Sequence, residues 1–144
     1  MSHGASLRSA LKKRKLLKRP SEQTHLRALC HDGALVGGLS LSYRLTPEEA
    51  FGPLTWAMGG AARGLKLLDV RGQRPMELHV RVGEQLEKWA VESVEGLIHN
   101  LNDLFKDDAT VARIISLGEW EDMLQLWCLS ASAVDELRAM RLLE

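Results

Sequence analysis

No aspartate or glutamate occurs in the first twenty residues of this chain. The same stretch holds Arg8, Lys12, Lys13, Arg14, Lys15, Lys18 and Arg19, a local charge of +7. The whole chain balances nineteen basic against nineteen acidic residues, so everything after residue 20 carries −7. A basic arm on an acidic body is the expected organisation. Attraction between the two is screened by salt, because the Debye length is about 8 Å at physiological ionic strength.

Cysteine is scarce. Cys30 and Cys128 are the only two, too few for a disulfide scaffold, and both sit in apolar patterns. Buried free thiols and a reducing compartment, cytoplasmic or nuclear, are expected. Long apolar runs are missing as well: none approaches the roughly 20 residues of a transmembrane helix. The basic start is not followed by an apolar stretch, so neither a secretory leader nor secretion is expected. Ser2 in place of glycine argues against N-myristoylation, and the terminal Arg141-Leu142-Leu143-Glu144 carries no prenylation box. A peripheral location on a membrane stays open.

Recognisable catalytic chemistry is also lacking. Cys30 and His31 are adjacent, and neighbours on a strand point to opposite faces, so no zinc spacing results. His31-Asp32 is the kind of dyad that metal-dependent phosphohydrolases use, but here it falls in a turn without the further ligands such chemistry needs. Gly59-Gly60-Ala61-Ala62-Arg63-Gly64 could cradle a phosphate through backbone N–H groups. No Lys-Ser/Thr follows it and no strand leads into a dinucleotide fingerprint, so a flexible connection is the plainer reading. Ser40 and Ser42 alternate with leucines outside any nucleophile motif. The acidic pairs Glu48-Glu49, Asp107-Asp108 and Glu121-Asp122 all stand at caps or turns, which accounts for them without catalysis. No catalytic residue, metal or cofactor is assigned, and a non-enzyme is expected.

What is present reads as an α+β domain. The spacing predicts a short amphipathic helix over residues 6–19, ended by Pro20 and Ser21. It predicts strands within residues 25–45 around an Asp32-Gly33 hairpin turn. Thr46-Pro47-Glu48-Glu49 is a capping box with proline in the first helical position, opening a helix that should kink or restart at Gly52-Pro53 and end at Met58-Gly59-Gly60 or by Gly64. Residues 65–70 and 76–82 read as strands. From Glu84 to Phe105, Leu86, Trp89, Ala90, Leu97, Ile98, Leu101 and Phe105 recur at helical spacing, which predicts one long central amphipathic helix. A hairpin turning at Glu121-Asp122 and a final helix capped by Ser130 or Ser132 complete the chain. Residues 1–20 are thus an arm, and 21–144 one compact domain with a mostly antiparallel sheet packed against the long helix.

Two surfaces follow. Phosphate, an anionic membrane or a nuclear import receptor could each read the arm; it has no aromatic residue with which to stack bases. The plain alternative is a solvated tail. On the segment from Met123 to Leu129, Trp127 shares a face with Met123 and Gln125, and the other face is apolar too. A strand apolar on both sides is covered by helices of its own domain or by a partner. Trp120, Met123 and Trp127 are therefore candidates for an oligomer or partner interface.

The layout, a basic N-terminus before a compact, self-associating α+β core, resembles that of small viral matrix proteins. Such a resemblance implies contact with membrane and nucleoprotein, although their Pro-Pro-x-Tyr motif is missing here. The order of elements also resembles secretion chaperones and bacterial immunity proteins, which are commonly acidic overall. Neither resemblance carries a motif, so no family follows. The expectation is a self-associating, non-catalytic binding protein whose arm docks on nucleic acid or acidic membrane. The alternative is a partner-specific inhibitor, immunity protein or chaperone working through acids beside Trp120, namely Glu119, Glu121 and Asp122.

Overall fold

A computed structural model describes residues 20–139 of the chain. In order, they form α1 (Pro20–His31), β1 (Gly38–Ser42), α2 (Pro47–Met58), a 3₁₀ turn (Gly60–Gly64), β2 (Lys66–Arg71), β3 (Met76–Val82) and β4 (Gln85–Val91). Then come α3 (Val94–Leu104), β5 (Arg113–Trp120), β6 (Met123–Leu129) and α4 (Ala131–Ala139). The class is α+β, with two antiparallel three-stranded sheets, β1-β6-β5 and β2-β3-β4. These residues group into two compact units: residues 20–43 with 112–139, and Arg44–Val111. Among the described residues no helix is long and apolar enough to cross a membrane. The helix expected over residues 6–19 lies outside the described residues.

In the first unit, the strand expected at "LRALC" is instead part of α1. Leu26, Leu29 and Cys30 stand at i, i+3 and i+4, which puts them on one helical face. Asp32-Gly33 ends this helix and makes no hairpin. Gly33, at φ +76°, donates its N–H to Cys30 O, and Ala34 donates to Leu29 O at 2.9 Å. That pair of bonds is a Schellman cap, which places glycine in the left-handed region.

The β5–β6 hairpin turns where expected. Glu121 and Asp122 take φ of 55° and 60°, and Trp120 pairs with Met123. Two left-handed residues are what a two-residue type I′ turn needs. β6 is the middle strand, and its Trp127 and Leu129 pack with Leu26 of α1 and with Ala133, Val134 and Leu137 of α4. Ser130 caps α4 by accepting the Ala133 N–H at 3.1 Å. On the other face of the sheet Leu41, Ile114, Leu124 and Leu126 are buried as well.

The second unit opens on the capping box as read. Thr46 Oγ1 accepts the Glu49 N–H and Glu49 Oε1 accepts the Thr46 N–H. α2 then runs unbroken through Gly52 and Pro53, both exposed, to Met58. β2, β3 and β4 form a meander, with Gly83-Glu84 closing the β3–β4 hairpin between Val82 and Gln85. Gly83 has φ +63°, the positive value that a type II′ turn requires in its first central position.

The long helix expected from Glu84 to Phe105 is therefore two elements, a strand and a shorter helix. Residues 85–91 hydrogen-bond to β3. Ser93 then starts α3, its Oγ accepting the Gly96 N–H at 3.0 Å. Trp89 and Val91 alternate inward with Glu87, whereas Leu86, at 56% exposure, and Ala90 point away from the core they were expected to build. Leu78, Val80, Trp89 and Val91 form the inner face of the sheet. The Phe51 ring of α2 lies 6.4 Å from Trp89, centroid to centroid, and α2 packs on α3 through the buried faces of both helices.

Candidate functional site

The seven arm cations, Arg8, Lys12, Lys13, Arg14, Lys15, Lys18 and Arg19, all lie outside the described residues. Trp120, Met123 and Trp127 come from one hairpin but differ in availability. Trp127 is 0% exposed and its Nε1–H donates to Val36 O at 3.1 Å. It is a core residue of its own unit and has no surface to offer a partner, which corrects its place among the interface candidates. Trp120 and Met123 face each other across the hairpin end and are half-buried, with Glu119, Glu121 and Asp122 exposed beside them. The three acids are the exposed chain neighbours of Trp120, and Glu119, paired with Leu124, lies on the opposite face of the strand from the indole.

Gln125 was not foreseen as a structural residue. It is 0% exposed on β6. Its Nε2–H group donates to Trp120 O at 3.0 Å and approaches His31 Nδ1 at 3.3 Å, and its Oε1 accepts from Ser40 Oγ. His31 is thereby tied to the first sheet, and Asp32 is exposed at the helix end. Arg27 has a similar task. Leu117 is the extra residue of a bulge in β5, and its carbonyl accepts from Arg27 Nη1 at 2.9 Å.

The glycine-rich segment is a 3₁₀ turn rather than an open loop. Arg63 lies over the Trp56 ring at 3.9 Å and donates from Nε to Trp56 O at 2.9 Å. Its guanidinium is engaged with the end of α2 instead of reaching into a phosphate cradle. Trp56 stays 66% exposed. Among the described residues no group of three or more His, Cys, Asp or Glu side chains could hold a metal ion. A cleft of about 390 Å³ runs between β4 and α3, past Glu87, Lys88, Asn100 and Asp103. Glu87 accepts the Trp89 Nε1–H at 3.0 Å, and the exposed Asp103 lies 3.8 Å from Lys106.

Both cysteines are free thiols. Cys30 is buried, with Sγ 3.3 Å from Leu126 O. Burial, reinforced by nearby Cys30, pushes the Cys128 thiol up to about 11. The thiolate is the reactive form, so native Cys128 should label slowly with a disulfide reagent at pH 8 and quickly once unfolded. Its folded value lies above the unfolded one, near 9. The stability it contributes is therefore full below pH 9 and declines as the pH rises to about 11, by on the order of 2 kcal/mol. Fast labelling of the native protein at pH 8 would contradict this assignment.

The largest feature missed by sequence reasoning is the outer face of β2-β3-β4. Register places its residues in three rows: Lys66, Arg81 and Leu86; Asp69, His79 and Lys88; Arg71, Glu77 and Ala90. Asp69 pairs with Arg71 at 3.0 Å. The hydrogen bonds from Arg71 and from the Val70 N–H hold the Asp69 carboxyl below its ordinary range. Glu77 Oε1 lies 2.6 Å from Nε2 of the buried His79. Among the described residues Lys66, Arg81 and Lys88 have no acidic partner. The alternation Glu77, His79, Arg81 was legible as the polar side of a strand. Its neighbours were hidden because residues 85–91 also fit a helical stripe.

No protein-family model, curated protein or solved structure matches the chain.

Proposed function

We propose that this chain is a non-catalytic binding protein that docks on an anionic surface, nucleic acid or acidic membrane, through its basic N-terminal segment. The observation that carries this reading is the run of seven cations without a single acid in residues 1–20, set against −7 in the remainder. Cations spaced this way attract polyanions with strong salt dependence and little sequence preference. Self-association belongs to the same proposal. Its support is now confined to Trp120 and Met123, because the burial of Trp127 accounts for that side chain within the unit.

Binding of the full chain and of a variant lacking residues 1–20 should be titrated with salt on an oligonucleotide and on anionic vesicles. The full chain should bind at least one of them, and the truncation should remove most of that affinity and flatten its salt dependence. Equal affinity of the two proteins for both probes would rule the reading out.

One observation favours a second reading. Glu119, Glu121 and Asp122 are exposed at the hairpin end that carries the half-buried Trp120, a chemistry suited to a basic protein partner. An inhibitor, immunity protein or chaperone of that kind would lose its partner on substitution of these acids and keep it on removal of the arm.

A further inference from the structure

We infer that the outer face of β2-β3-β4 is a docking surface for an anionic lipid bilayer, distinct from the N-terminal segment. It goes beyond the reading above because it rests on residues of Arg44–Val111 alone.

The first argument is charge. The three rows of this face cover roughly 10 Å by 14 Å at ordinary strand spacings. Asp69 pairs with Arg71 and Glu77 hydrogen-bonds with His79, and the rows hold four Lys or Arg residues, Lys66, Arg71, Arg81 and Lys88, against these two acids. Lys66, Arg81 and Lys88 are exposed, and among the described residues no acid pairs with them. Lys66 and Arg81 stand directly opposite each other in the β2–β3 register. Like charges in that position destabilise a sheet. A fold that keeps them there carries a cost that an external anion would offset.

The second argument selects the anion. Leu86 sits opposite Arg81 in the same row and is 56% exposed. Leu68, at the β2 bulge, is 50% exposed beside Asp69. Cations with exposed leucines suit an interface where headgroup phosphates meet acyl chains. Reading of single-stranded nucleic acid would call for exposed aromatic stacking platforms; the outward positions of the three strands hold no Phe, Tyr or Trp, and His79 is buried.

The test uses vesicles of phosphatidylcholine and phosphatidylserine at about 7:3, compared with pure phosphatidylcholine. Four full-length proteins are compared: the parent, Lys66→Gln/Arg81→Gln/Lys88→Gln, Leu86→Ser, and a variant with the seven arm cations replaced by glutamine. The sheet triple variant should bind the anionic vesicles about a hundredfold more weakly at low salt. Leu86→Ser should weaken binding several-fold, with the loss persisting at high salt. Because all four substituted residues are exposed, circular dichroism should be unchanged. The triple variant should be at least as stable to heat, since it removes the Lys66–Arg81 repulsion.

If the arm variant loses vesicle binding while the sheet variants keep it, the sheet proposal is overturned and the arm reading stands. The reverse pattern overturns the arm reading for membranes and supports the sheet. Absence of vesicle binding by the parent overturns the sheet proposal. So does a triple variant that loses affinity for a single-stranded oligonucleotide while Leu86→Ser binds vesicles normally; that result would identify the face as a phosphate-backbone contact.

Discussion

Replacing Trp127 with alanine should lower the unfolding free energy by about 3–5 kcal/mol, the usual range for deleting a buried aromatic side chain. The indole is 0% exposed, and it packs with Leu26, Leu129, Ala133, Val134 and Leu137 from two helices and its own strand. Its truncation removes contacts on every side and also leaves Val36 O without the Nε1–H donor. α1 and α4 meet β6 through this side chain, so the void cannot close without shifting one of them. Urea unfolding followed by circular dichroism measures the loss. At such a cost a marginally stable chain would be largely unfolded at 37 °C. The result should not vary with protein concentration, because the contacts are made within one chain. If Trp127 served an interface, Trp127→Ala would leave unfolding within about 1 kcal/mol of the parent and would weaken association instead.

Gly37→Ala should destabilise by about 2–5 kcal/mol, the sum of a left-handed backbone penalty and local overpacking. Gly37 has φ +81°, and a Cβ added there would stand 2.5 Å from the Cys128 carbonyl oxygen. Strand β6 cannot yield, because Gly37 O accepts the Cys128 N–H at 2.8 Å and the next pair in register is Gly38 with Trp127. Gly33→Ala is the internal control. Gly33 shares the positive φ, at +76°, but an added Cβ would meet nothing within 4 Å. It should cost only about 1–2 kcal/mol. A loss at Gly37 no greater than at Gly33 would show that the close approach to Cys128 is not a constraint.

Much of the fold could be read locally, and the misreadings have physical causes. The capping box at Thr46, the β5–β6 turn and the strands β2 and β3 each announce themselves within a few residues, because the deciding interactions are local. α1 did not. Its apolar residues Leu26, Leu29 and Cys30 fit a helical face, but the following Asp32-Gly33 serves a hairpin and a helix cap equally well, and only the Ala34-to-Leu29 bond decides between them. β4 was absorbed into the helix after it because Leu86, Trp89 and Ala90 happen to continue the spacing of α3. Pairing with β3, a tertiary event, overrode that pattern.

The candidate sites divide along the same line. The arm was visible as charge composition alone. The cationic sheet face was not, because Lys66, Arg81 and Lys88 become neighbours only through the registers of three strands. The pairing of the first sheet was equally hidden. The partner of β1 is β6, with Gly38 opposite Trp127, and nothing near either segment announces a match so far along the chain.

That pairing has a consequence for biosynthesis. The unit from Arg44 to Val111 leaves the ribosome with its whole sheet and both helices encoded in one continuous stretch. It can begin to fold while β6 is still untranslated. Residues 38–42 emerge earlier but must wait for the last strands before their edge is paired. The expected order of folding in the cell is therefore middle first and ends last, to be checked by limited proteolysis of chains stalled before β6. During that interval Leu26, Leu39 and Leu41 lack the strand they will later cover or join.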